Sequence, residues 1–263
     1  MRSKLFSILA ITTALLAGDL QADIVYDNLS PTGANTFFNN TNLADINPSR
    51  YLLGEDISST LALPAGATSW RLDSVDFNVI AHGNGISQET FADVMVAVTL
   101  LGNINGTSGD ALGASFAAAP ILGTETFSLG NLTTGATGGA LVSGVELDFT
   151  NQINIGDGQN IGITFELFDS VTAPLANRRS DRLSVAYRND TQATNGPAVG
   201  STTDRLFRDR AGVAGVIDGT NDDFGFNSDA GLRFRLEATA VPEPTSLAVL
   251  GIFGLGLVTR RRR

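Results

Sequence analysis

The sequence predicts an all-β fold, a single antiparallel β-sandwich of jelly-roll type, over residues 23–240 of its 263. Three observations predict it. Apolar residues recur with a period of two in six separate runs, the pattern of strands with one buried face. Stretches rich in Gly, Asn and Asp separate those runs. Between the two termini no stretch carries a long apolar period of 3.6 residues, so helix is expected to be nearly absent.

In chain order, the first strand is expected near residues 24–28. Val75, Phe77 and Val79 alternate with Asp76 and Asn78, which predicts a half-buried strand. Val94, Val96, Val98 and Leu100 are interleaved with Met95, Ala97 and Leu101, so this strand is expected to be central and covered on both faces. Val145, Leu147 and Phe149 alternate with Glu146 and Asp148. Ile161, Ile163, Phe165 and Leu167 form another face, with Glu166 across the pleat. Leu183, Val185 and Tyr187 follow. Residues 177–225 are richer in Arg, Asp, Asn and Gly and read as a long excursion or a pair of hairpins at one end. Leu232, Phe234 and Leu236 alternate with Arg233, Arg235 and Glu237, and the last strand is expected over residues 232–239. Turns are expected at residues 83–85, 102–109, 135–139 and 156–158. Alternating strands with polar outer faces pack as antiparallel sheets face to face.

A body of this length buries a core without staples. It has none: cysteine is absent, so neither a disulfide nor thiolate chemistry is available. Six of the 17 basic residues and two of the 27 acidic ones lie outside residues 23–240. The body therefore carries 11 basic against 25 acidic residues, a net charge of −14, with no lysine. Such a charge disfavours nucleic acid and anionic membrane as partners and suits a soluble surface protein.

The two termini have a different character. Arg2 and Lys4 precede an apolar stretch at residues 5–17, the pattern of a secretory signal peptide, with cleavage expected after Ala22. At the other end stand Val241-Pro242-Glu243-Pro244, then an apolar run at residues 247–258, then Arg260, Arg261, Arg262 and Arg263. Each proline fixes φ and biases its predecessor toward extended geometry, so Glu243 is presented on a stiff, strand-like segment. Processing proteases bind such segments by adding them to a sheet edge. The apolar run, taken as a helix to Thr259, spans only ~20 Å. The hydrocarbon core of a bilayer is ~30 Å thick, so the run is short for a permanent anchor. The four arginines are expected to hold the C-terminal end on the cytoplasmic side.

Residues 241–263 resemble the PEP-CTERM sorting domain of Gram-negative bacteria, with Val241, Pro242, Glu243 and Pro244 matching its motif. The resemblance implies recognition by exosortase, a membrane-embedded cysteine protease or transpeptidase. It implies passage through the inner membrane, transient anchoring by a C-terminal transmembrane helix, and removal of that helix. Release or attachment at the cell surface follows, in species that produce exopolysaccharide and form biofilms. The body broadly resembles the β-sandwich ectodomains that precede such tails.

Within the body, Asp218, Thr220, Asp222 and Asp223 place alternate oxygen donors in a Gly-containing loop, a candidate Ca²⁺ site to which Asp229 can add a carboxylate. A solvated acidic hairpin accounts for the same residues. Trp70, just before a predicted strand, is the candidate aromatic platform for a carbohydrate, against a place at the core edge. Arg178, Arg179, Arg182, Arg205, Arg208 and Arg210 hold six of the body's arginines and read most simply as ion-pairing groups. His82, the one histidine, lies in a predicted turn, and no G-x-S-x-G motif accompanies it. No catalytic residue is assigned. A non-enzymatic envelope protein is expected, with a carbohydrate-binding module or a secreted hydrolase as the alternatives.

Overall fold

The computed structural model describes residues 22–29, 37–38, 52–58, 62–81, 86–104, 115–138, 141–169, 183–189, 197–209, 223–224 and 230–243. Fifteen strands occur among them: β1 (Asp23–Asp27), β2 (Phe37–Phe38), β3 (Leu52–Ser58), β4 (Ala67–Ala81), β5 (Thr90–Gly102), β6 (Ile121–Thr133), β7 (Leu141–Asp148), β8 (Asn154–Ile155), β9 (Asn160–Asp169), β10 (Leu183–Val185), β11 (Tyr187–Asn189), β12 (Ser201–Asp209), β13 (Asp223–Phe224), β14 (Ala230–Leu232) and β15 (Phe234–Pro242). Helix is confined, among the described residues, to a single turn at residues 115–118.

The strands pair antiparallel and form two six-stranded sheets and a small third one. In the first sheet β1 pairs with β15, β15 with β4, and β7 takes the other edge of β4. In the second the order is β13-β12-β3-β9-β5-β6. The order β1-β15-β4-β7 opposite β3-β9-β5-β6 is that of a jelly roll, two interlocked Greek keys. A hairpin, β12–β13, extends the second sheet beyond β3.

The core lies between the sheets. Val75, Phe77 and Val79 from β4, Val94, Val96 and Val98 from β5, and Ile161, Ile163 and Phe165 from β9 are all buried. Aromatic rings stitch the two layers together. Phe165 of the second sheet packs against Phe77 at 5.1 Å and Phe234 at 5.6 Å between ring centroids, and Phe234 stacks on Tyr26 at 4.6 Å. These tilted and edge-to-face geometries are the ones favoured by aromatic quadrupoles.

Three sequence expectations change. The run from Leu183 to Tyr187 is two strands, broken at Ala186, and the run from Leu232 is broken at Arg233. The two breaks meet: Ala186 N–H donates to Asn78 O at 2.7 Å, and Arg233 N–H donates to Ala186 O at 2.9 Å. There the chain leaves the first sheet for the three-stranded β14-β11-β2 sheet. The 177–225 segment is also more than an excursion, because β12 is an integral strand paired with β3. Finally, the last strand continues past Thr239 to Pro242, so the body does not stop at residue 240. The predicted signal peptide, apart from Ala22, and the predicted C-terminal helix lie outside the described residues. Among the described residues no helix is long and apolar enough to cross a membrane.

On the outer side of the second sheet, the buried Phe116 ring sits over Gly54 and Gly162, with Leu101 and Ile104 beside it. A Cβ at Gly162 would lie 2.8 Å from Phe116 Cε1 and 3.0 Å from Ile104 Cγ1. Gly162→Ala is therefore expected to destabilise the body by about 1–3 kcal/mol through overpacking, read as a lower urea midpoint at unchanged m-value.

Candidate functional site

The segment with the strongest chemical signature, residues 241–243, is part of the first sheet. Ala240 pairs with Trp70, Val241 with Ser69 and Pro242 with Ala67. The register shifts between Val241 and Pro242, so that Thr68 stands unmatched on β4 and its hydroxyl donates to Val241 O at 3.4 Å. Proline has no N–H for the ladder, and a bulge is where a strand tolerates it. Beyond the bulge pairing resumes: Glu243 N–H donates to Gly66 O at 2.8 Å.

Gly66 is placed for this by a β-turn. Ala67 N–H donates to Pro64 O at 3.0 Å, and Gly66 takes φ +84° at the third turn position. That is a type II turn, whose third residue needs positive φ and so favours glycine. Ser69, Ala67 and Gly66 were not singled out by the sequence reading. The Pro64-Ala65-Gly66 signature marks the turn, but nothing local in it points to a partner some 170 residues away. Val241 is half-buried, while Pro242 and Glu243 are exposed.

The family model of the PEP-CTERM protein-sorting motif matches residues 240–263. The chain carries a PEP-CTERM sorting motif. Its first residues are the end of β15, hydrogen-bonded into the β-sandwich, and its remainder follows Glu243 directly. A PEP-CTERM motif marks an exported chain for sorting at the membrane. Among curated proteins and solved structures, none matches the chain.

The other sequence candidates stand apart from this motif. Trp70 is 2% exposed and belongs to the core, so it presents no ring face to a carbohydrate. The reason is its register: it faces inward with Leu72, between Ala240 on one side and Ile155 on the other. Asp218, Thr220 and Asp222 lie outside the described residues, and Asp223 opens β13 opposite Phe207. Among the described residues no group of three His, Cys, Asp or Glu side chains is arranged to hold a metal ion. His82, Arg178, Arg179, Arg182 and Arg210 also lie outside the described residues, and Arg205 and Arg208 fall on β12.

The sequence reading missed an acidic row across the outer face of the first sheet. Asp27, Arg235, Asp76 and Glu146 are successive cross-strand partners on β1, β15, β4 and β7. Arg235 binds Asp27 at 3.0 Å and lies 3.9 Å from Asp76. Burial, then the carboxylates of Glu146 and Glu237, raise the Asp76 pKa, against a smaller opposing effect from Arg235. Below the row is a shallow groove lined by Arg71, Asp73, Asp148 and Asn151. Asp73 is engaged there by Arg71 at 3.0 Å and by the Thr239 hydroxyl at 2.6 Å.

Asp76 titrates with a sign opposite to that of Glu125. A carboxyl whose folded pKa is raised costs stability once pH exceeds its ordinary range, and the cost disappears in acid. Asp76→Asn is therefore expected to raise Tm at pH 7 and to leave it unchanged well below pH 4. Glu125 accepts bonds from Thr150 N–H and Asn151 N–H and from the Thr150 hydroxyl. Burial alone raises its pKa, but these bonds together outweigh burial and hold it lowered. Its contribution is present at neutral pH and lost as pH falls through the lowered value. Glu125→Gln is expected to lower Tm at pH 7, with the difference closing in acid. Thermal melts of the wild type and both variants at the two pH values check both signs.

Proposed function

We propose that this protein is an exosortase substrate, an exported component of a Gram-negative cell envelope or extracellular matrix. In this reading a signal peptide carries it through the inner membrane, and residues 247–258 anchor it there transiently. Exosortase reads Val241 to Pro244 and removes the helix, and the β-sandwich reaches the cell surface or the surrounding exopolysaccharide or biofilm. The observation that carries the reading is the motif match at residues 240–263, which begins in the last strand of an acidic sandwich.

The body acts as a non-catalytic surface component. In support, two of its buried carboxylates, Glu55 and Asp27, are used structurally. Glu55, fully buried, accepts from Leu232 N–H at 2.6 Å and from the Tyr26 hydroxyl at 3.4 Å, and Asp27 pairs with Arg235. Intact-mass analysis of the surface-located protein from its own host tests the reading. The expected mature species lacks residues 1–22 and the Arg260–Arg263 cluster. Recovery of that cluster in nearly all surface-located protein would make the tail a plain anchor.

A further inference from the structure

The sorting motif begins before the folded body ends. Val241 and Pro242 are the last residues of β15, and Glu243 is still tied to the Pro64–Ala67 turn through Gly66. Three residues, Pro244, Thr245 and Ser246, separate Glu243 from the apolar run, a reach of roughly 14 Å at full extension. A membrane-embedded protease thus meets this motif with the sandwich pressed against it. Proteases that bind substrate as an added strand use the backbone groups of that strand. Along residues 241–243 one edge of the backbone is already paired with β4.

The attachment is also lightly secured. It contains a bulge, a proline without an N–H, a long 3.4 Å side-chain bond and two exposed residues. Further back, β15 runs between β1 and β4 with Leu236 and Ala238 fully buried. Strand ends of the first kind open locally at a small fraction of the global unfolding free energy.

We propose that the folded body masks its own sorting motif. Residues 241–243 are processed from the state in which the end of β15 has left β4, and the fraying of that strand end gates the cut. The gate opens without unfolding the sandwich, because the frayed end lies beyond the buried Leu236 and Ala238. This inference rests on the sorting reading above and adds the control of its rate.

The chain contains no cysteine, so Ser69→Cys with Val241→Cys introduces a single possible disulfide between register partners. Antiparallel partners stand about 4.5–5.5 Å apart at Cα, within disulfide range, and an exported chain meets oxidising conditions. The full-length double variant is produced in the native host with and without added thiol reductant, beside each single variant. Intact mass then gives the fraction retaining residues 244–263. Cross-linking should slow processing about tenfold or more, since it depletes the competent state, and reductant should restore the rate of the Val241→Cys single variant. If the cross-linked chain is cut as fast as that single variant, masking is wrong while sorting stands. If the wild type itself keeps residues 244–263, the sorting reading fails and masking falls with it. Amide exchange on the full-length wild type decides independently of any protease and of whether the variant folds. The Glu243 N–H should exchange more slowly than in the free peptide and faster than the Leu236 N–H, and exchange at the free-peptide rate would overturn the mask.

Discussion

Replacing Glu243 by alanine, or Pro242 and Pro244 together by alanine, is expected to leave export intact and to trap full-length chain in the inner membrane. Glu243 is exposed, so its truncation leaves the stability of the body within about 0.5 kcal/mol. The effect falls on recognition instead. A charged group buried against a partner and then truncated costs about 2–5 kcal/mol, roughly 30-fold or more in processing at subsaturating substrate. The double proline variant acts by a second route, releasing the φ restriction that keeps the motif extended. Removing Arg260 to Arg263 should give a different phenotype, a tail that is misoriented rather than uncut. Fractionation with an antibody to the body, followed by C-terminal mass analysis, separates these outcomes. Normal trimming of the Glu243→Ala chain would mean that the protease does not read this side chain.

Phe165→Ala should cost about 3–5 kcal/mol of folding stability, the range for removing a large buried aromatic. Phe165 is 1% exposed and is the ring through which β9 meets Phe77 of β4 and Phe234 of β15. Its loss opens a cavity between the two sheets at the point where first-sheet and second-sheet aromatics converge. Urea unfolding of residues 23–243 measures the effect, with the end point kept at 243 because β15 runs beyond residue 240. A loss below about 1 kcal/mol would mean that the sheets repack over the gap and that the aromatic contacts do not set their spacing.

Strands with clean alternation were legible: Val75–Val79, Val145–Leu147 and the Ile161–Leu167 face lie where the apolar period puts them. β3 and β6 escaped for a physical reason. β3 reads Gly-Glu-Asp at its centre, yet Glu55 and Asp56 are fully buried and Gly54 lies beneath the Phe116 ring. In β6 the half-buried row contains Gly123, against which Ile153 packs, and Glu125, which clips the Thr150–Asn151 turn. Polar residues with dedicated partners hide a period that rests on hydrophobicity alone. Trp70 was open to two readings because a tryptophan beside a strand fits a platform and a core, and only its register partners Ala240 and Ile155 decide between them. The PEP-CTERM motif was legible because proline, span and arginine cluster are chemistry written in consecutive residues. Its seat on Gly66 and Ser69 was not, since β15 and β4 pair across most of the chain.

The pairing of Asp23 with Ala238 has a geometric consequence. β1 and β15 run antiparallel, so the residue expected to become the new N-terminus and the motif at 241–243 leave the sandwich from the same pole. In the sorting route proposed above, both scissions fall at this pole. β4 runs from this pole at Ala67 to the far one at Ala81, where it pairs with β10 and where β11 and β14 gather beside it. In that route the body is held by this pole, and the far one, with residues 183–189 and 230–232, points away from the membrane.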